Sequence, residues 1–160
     1  MIGEGASRVN AKAFELWYTL HEMEVRHWYD VNLNHGKTVH ELYTEDGLFA
    51  VGPQERRGPK TIREFYEARA KRGVRTARHV LTNFQIFPAD DDRHARATGL
   101  ICLYAGDNLP LLDSKPAVLI ADLANEYVST EKGVWLYRSH ILKPIFVGDD
   151  PFVRHAINAS

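Results

Sequence analysis

From about Lys12 to Leu33, Phe14, Trp17, Tyr18, His21, Val25, Trp28, Tyr29 and Leu33 recur at three- and four-residue steps. That period predicts one amphipathic helix with these side chains on its buried face. Asn34-His35-Gly36 supplies its stop. A short second helix is predicted over about Thr38 to Tyr43, with Val39, Leu42 and Tyr43 inward. Glu45-Asp46-Gly47 reads as a turn, and Leu48 to Gly52 as a short strand. Gly58-Pro59 opens a third helix, because proline at the first helical position presets φ and gives up an N–H that has no partner there anyway. Its buried side carries Ile62, Phe65, Tyr66 and Arg69, and Gly73 ends it. Four strand-like stretches follow, Thr76 to Phe87, Ala95 to Ala105, Ala117 to Thr130 and Gly133 to Phe146. A polar turn (Pro88 to Asp92), a longer loop (Asn108 to Pro116) and a hairpin signal (Glu131-Lys132-Gly133) separate them.

Helices first and a run of antiparallel strands afterwards define an α+β domain rather than a parallel α/β sheet. The chain of 160 residues suits one such domain with one sizeable core. The boundaries are a flexible N-terminus (residues 1–11), the domain itself (12–147) and a C-terminal tail (148–160) whose structure the pattern leaves open. A formal net charge of -1 gives no global attraction to nucleic acid or anionic lipid. No apolar run approaches the roughly 18 residues of a membrane span, and Met1 to Asn10 lacks the apolar stretch of a signal peptide. Cys102 is the one cysteine, so no intrachain disulfide forms, and a reducing cytoplasm is the simplest setting.

Four segments in this order resemble the SnoaL-like group of the nuclear transport factor 2-like superfamily. They are Trp28-Tyr29 through Asn32-Leu33-Asn34-His35-Gly36 to Leu42-Tyr43-Thr44-Glu45-Asp46-Gly47; the glycine-led Gly58-Pro59-Lys60-Thr61-Ile62-Arg63-Glu64-Phe65; Arg78-His79-Val80-Leu81-Thr82-Asn83; and Gly133-Val134-Trp135-Leu136-Tyr137-Arg138. The resemblance implies a cone-like α+β barrel, with three N-terminal helices packed in a curved, mostly antiparallel sheet around a pocket for a small hydrophobic or aromatic molecule. It also implies a homodimer joined through open sheet faces, and no cofactor. Relatives of this kind include scytalone dehydratase, ketosteroid isomerase, hexachlorocyclohexane dehydrochlorinase and the noncatalytic β subunits of ring-hydroxylating dioxygenases. The fold alone therefore does not choose an activity.

His79 is the leading candidate for chemistry. In a strand it shares a face with Leu81, Asn83 and Gln85, while Val80, Thr82, Phe84 and Ile86 face the core. The resemblance makes it a general base, work that suits an imidazole titrating near neutrality; the other reading is a structural histidine. Where lyases of this kind carry an aspartate, this chain has Asn32, which cannot take a proton. Asp30 is the nearest acid, about 200° away around a helix. Trp28, Tyr29 and Tyr43 are candidate pocket walls, with tyrosine hydroxyls as donors to a ligand oxygen. Asn83 is a candidate for orienting substrate. Asp122, inside Val118 to Ala124, is either a desolvated acid or the solvent face of a half-buried strand. Arg138 either binds a ligand oxygen or faces outward.

The eight histidines show no metal-ligand spacing, and phosphate- and dinucleotide-binding glycine patterns are absent. The basic run from Arg56 to Arg78 reads as a solvated helix face, with an anionic ligand near Arg75 or Arg78 as the other reading. Two functions follow from these residues. One is a cofactor-free lyase or isomerase using His79, assisted by Asp30 or Asp122. The other is a noncatalytic module that binds a ligand or supports a partner subunit.

Overall fold

A computed structural model describes residues 10–158. The chain folds as α1 (Ala11–Leu33), a 3-10 turn (Val39–Leu42), β1 (Tyr43–Val51), β2 (Gln54–Arg57), α2 (Gly58–Ala70), β3 (Arg75–Pro88), β4 (His94–Asp107), β5 (Leu119–Ser129), β6 (Trp135–Val147) and α3 (Pro151–Asn158). The six strands form one sheet in the order β2-β1-β6-β5-β4-β3. Every neighbouring pair is antiparallel except β1 with β6, so the sheet is mixed. Register slips in β1, β3 and β6 bend it, since an extra unpaired residue kinks a strand and increases its twist. The long helix α1 packs into the hollow so formed. Leu20, Trp28 and Val31 of α1 join Ile101 and Leu103 of β4, Leu119 and Leu123 of β5, and Leu142 of β6 in one core.

The α+β class and the mostly antiparallel sheet match the sequence-based expectation. The expectation of three N-terminal helices does not hold in that form. The second is only a 3-10 turn, because Tyr43 to Gly47 extends instead and opens β1, where Tyr43 pairs with Tyr137. The third full helix, α3, lies in the C-terminal stretch that the sequence pattern left open, with Asp150 accepting the Val153 N–H at 3.0 Å. β2 was also not anticipated. It exists because Gly52, with φ +56°, reverses the chain after β1. The expected flexible N-terminus lies outside the described residues up to residue 9. Asn10 caps α1, its Oδ1 accepting the Lys12 N–H at 3.0 Å.

The buried face of α1 is a larger correction. Phe14, Tyr18, Val25, Tyr29 and Leu33 are exposed, and the inward residues are Leu20, Met23, Glu24, His27, Trp28 and Val31. Hydropathy periodicity scores Glu24 and His27 as polar, so it turned the helix away from the face the fold uses. At the helix end, Asp30 is occupied structurally. Its carboxylate accepts from the Asn34 amide and the Thr38 backbone N–H, both at 2.8 Å, and fixes the exit of the chain. Gly36 follows with φ +73°, and a Cβ there would lie 2.5 Å from the Tyr66 ring. Only glycine combines that conformation with so close an approach of α2.

Candidate active-site cavity

The centre of the molecule is polar and has no exposed surface. Glu24 Oε1 accepts from the Tyr137 hydroxyl at 2.7 Å, the Tyr127 hydroxyl at 3.1 Å and the Asn125 amide; Oε2 accepts the Trp28 indole N–H at 3.0 Å. Beside it, the Tyr43 hydroxyl bridges His27 Nε2 at 3.3 Å and His140 Nδ1 at 2.9 Å. His140 Nε2 is 3.6 Å from Glu24 Oε2. Burial raises the Glu24 pKa against the opposing pull of His27 and of its hydrogen-bond donors. Burial also holds His27 well below the ordinary histidine value, and pushes His140 down to about 3. Sequence reading missed this network. The available signal was the spacing of Leu20, Glu24, His27 and Val31, which places an acid and a histidine on one helical face with two aliphatics.

Trp28 connects this centre to His79. Its indole, fixed by Glu24, stacks on the imidazole with ring centroids 4.3 Å apart and planes at 20°. One turn further along α1, Asn32 Oδ1 accepts from the His79 backbone N–H at 3.0 Å and lies 2.8 Å from His79 Nδ1. An amide oxygen can only accept, so Nδ1 carries the proton. The nitrogen left for a ligand is Nε2. Burial, with the Arg69 charge next and His27 and His140 after it, holds this imidazole well below its ordinary pKa, so it is neutral at pH 7.

His79 and Trp28 line a cavity of about 210 Å3. Its apolar walls are Phe49, Val51, Phe65, Leu103, Leu119 and Leu142, and α3 contributes Phe152, Val153 and Ala156. Arg56, Arg69, Arg72 and Arg75 also border it. Arg56 sits over the Phe65 ring at 3.8 Å. Arg75 is neutralised by Asp107 at 2.9 Å and by Asp150.

Of the sequence candidates, the structure therefore brings together His79, Asn32 and Trp28. Tyr43 is buried in the central network and does not line the cavity. Five others lie elsewhere: for Tyr29, Asn83 and Asp30 this corrects the expectation, and for Arg138 and Asp122 it selects the outward-facing alternative. Tyr29 is exposed, on the outer side of α1. Asn83 occupies a bulge, with φ +53° and a register slip between Thr82 and Gln85. The inward residues of β3 are consequently Ala77, His79, Leu81, Phe84 and Ile86, and Asn83 is exposed. Arg138 is skipped in the pairing that runs from Glu126–Ser139 to Tyr127–Tyr137, so it faces out while Tyr137 and His140 face in. Asp122 is exposed on the outer face between buried Ala121 and Leu123, opposite Lys143. Asp30, as shown above, is a helix-end acceptor without contact to His79. In the basic run, Arg75 borders the cavity and Arg78 is exposed on the outer face.

A bent, mostly antiparallel sheet closed over a long helix is the α+β cone of the nuclear transport factor 2-like class. Within that class the chain belongs to the SnoaL-like domain family, which matches residues 22–140. Among solved structures, a protein assigned as a scytalone dehydratase from Novosphingobium aromaticivorans is similar over 86% of this chain and 89% of its own, at 15% identity and TM-score 0.73. ActVI-ORFA from Streptomyces coelicolor is similar over 81% of this chain and 97% of its own, at 15% identity and TM-score 0.70. A protein assigned as the β subunit of an aromatic-ring-hydroxylating dioxygenase from Novosphingobium aromaticivorans is similar over 89% of this chain and 97% of its own, at 8% identity and TM-score 0.74. At these identities the likeness is one of fold. No curated protein sequence matches the chain.

Two predictions follow from the histidines. His27 and His140 have folded pKa values below 6.5, so above that pH both states are neutral and nothing is gained or lost. Below it the unfolded chain binds protons that the native state refuses. Stability falls by about 1.4 kcal/mol per pH unit for each, and His79, held down in the same way, adds a third such contribution, so the three together lose about 5–6 kcal/mol between pH 7 and pH 5. Glu24, whose folded pKa is raised, opposes this only once the pH reaches its own range. Urea denaturation across that window reads the slope, and a flat profile contradicts it. Secondly, Asn32→Asp places a negative charge on His79 Nδ1 and raises the His79 pKa by roughly 1–3 units. A proton NMR titration of the ring checks this, and an unmoved pKa would show that residue 32 does not hold the imidazole.

Proposed function

We propose that the cavity is a cofactor-free active site in which neutral His79 takes a proton through Nε2 from a small, mostly apolar substrate, as in dehydration, isomerisation or cyclisation. The observation that supports this is the clamp on His79. Asn32 fixes its tautomer, Trp28 fixes its plane, and the ring borders a cavity with apolar walls. An amide in the orienting position leaves a weaker base than a carboxylate would, because it cannot stabilise the imidazolium by charge. The substrate must then carry an acidified C–H, such as one beside a carbonyl. Arginine charge near the reacting centre favours the enolate that forms. Among the described residues no acid is paired with His79, so Asp30 and Asp122 have no part in this proposal. Cys102, half-buried and unpaired, fits a reducing cytoplasm. Among the described residues no helix is long and apolar enough to cross a membrane.

The same amide supports a second reading, in which the cavity binds a ligand or the domain supports a partner subunit without chemistry. Exchange of α-hydrogens from a panel of aryl ketones and β-hydroxy aryl ketones in D2O, followed by NMR, separates the two. The active-site reading expects saturable exchange or elimination that His79→Ala slows by about 10²–10⁴-fold. Saturable binding with identical exchange by wild type and His79→Ala sinks the base role and favours the binding module.

We further propose that two copies pair through the outer face of the sheet. Val80, Cys102, Ile120 and Phe146 follow one another in register across β3, β4, β5 and β6, on the side away from the core. Val80 and Phe146 are exposed, which leaves an apolar band that no described residue covers. Light scattering should give twice the chain mass, and Phe146→Asp should return it to one. Monomer mass for the wild type across a concentration series overturns the pairing.

A further inference from the structure

The charge around the cavity has one sign. Four arginines border it, and no aspartate or glutamate does. Arg75 is already paired with Asp107 and Asp150. Arg56 spends its charge over the Phe65 ring and on the Gln54 carbonyl at 3.2 Å. Arg69 and Arg72 are different, since neither is paired with a carboxylate among the described residues.

Arg72 is exposed and solvated, but Arg69 is half-buried. Burial disfavours its charge; Tyr66 beside it works the other way, and the nearby Arg75 and Arg72 charges add to the burial effect, for a net downward shift. A guanidinium withdrawn from water, repelled by its neighbours and lacking a counter-ion is a costly arrangement for a protein that binds nothing there. In a concave, low-dielectric wall it also produces a focused positive potential. The opposite walls are aromatic and aliphatic. At about 210 Å3 the cavity is smaller than the roughly 300–1,000 Å3 of pockets that take drug-sized ligands, so its occupant has one or two rings.

We propose that the cavity takes an organic anion, a carboxylate on a flat apolar body, with the Arg69 guanidinium as its counter-ion. This names a ligand class for the cavity of the proposed active site. It rests on that cavity's being a ligand site and not on proton transfer by His79. Guanidinium suits a carboxylate because its parallel N–H groups can donate to both oxygens at once. Phe49 and Phe65 give the wall its aromatic surface, and the exposed Arg72 adds attraction during entry.

Calorimetric titration of the full chain with 2-naphthoate and with its neutral counterpart 2-naphthamide tests this. Wild type should bind the carboxylate about 10- to 100-fold more tightly than the amide, the ratio expected of a hydrogen-bonded charge pair. The ratio should shrink with added salt. Arg69→Met should abolish the preference, costing the carboxylate far more affinity than the amide, and Arg69→Lys should keep part of it. If Arg69→Met does not fold, the Arg69→Lys ratio and the wild-type salt dependence still decide. His79→Ala should retain the preference even where it abolishes exchange, so failure of the base and failure of the anion site are read separately. Equal affinity for the two probes, binding of neither at millimolar concentration, or an undiminished preference in Arg69→Met overturns the proposal.

Discussion

A carboxylate with no exposed surface must be met by donors from every side, and Glu24 is met from two strands and from its own helix. Because Asn125 and Tyr127 come from β5 and Tyr137 from β6, these hydrogen bonds pin α1 against the sheet at one rotation and one depth. An apolar face alone tolerates sliding and rotation, whereas a buried acid does not, since any displacement leaves its charge unpaired at a cost of several kcal/mol. Trp28 and Asn32 follow at intervals of four residues, close to one helical turn, so the rotation that satisfies Glu24 also aims them at β3.

His79 receives its geometry from that placement. Its ring lies between an indole already anchored to Glu24 and an amide oxygen that accepts from both its backbone and its side chain. The imidazole is therefore fixed in tautomer and in plane before any ligand arrives, which is the preorganisation a proton acceptor requires. The arginines enter from a different part of the chain, α2 and the strands beside it. The cavity thus joins a neutral nitrogen held by α1 to a positive wall supplied by α2, between aromatic and aliphatic side chains.

The helices-before-strands order and the four long strands, the latter to within about two residues, were legible in the sequence, because alternation and turn chemistry are local. His79, Asn32 and Trp28 were also legible, through the segments that resemble the family. Two kinds of feature were not. The inward face of α1 contains Glu24, whose burial is repaid by partners on β5 and β6 more than 90 residues away, and His27, which meets the Tyr43 hydroxyl of β1, and no local window holds that information. The bulges at Asn83 and Arg138 each shift the alternation by one residue. They turned Asn83 outward where period two had put it beside His79, and turned His140 inward while Arg138 faces solvent. Arg69 was visible as part of a buried helix side, but its lack of a carboxylate partner is a property of the folded neighbourhood alone.

The protonation state of His79 in the wild-type protein tests the central claim most directly. Nitrogen-15 NMR of the imidazole rings at pH 7 distinguishes the two neutral tautomers from the imidazolium. The structure predicts a neutral ring protonated at Nδ1, with Nε2 bearing the lone pair. A proton on Nε2 with bare Nδ1, or a charged ring, would contradict the Asn32 clamp and the proton-accepting role built on it.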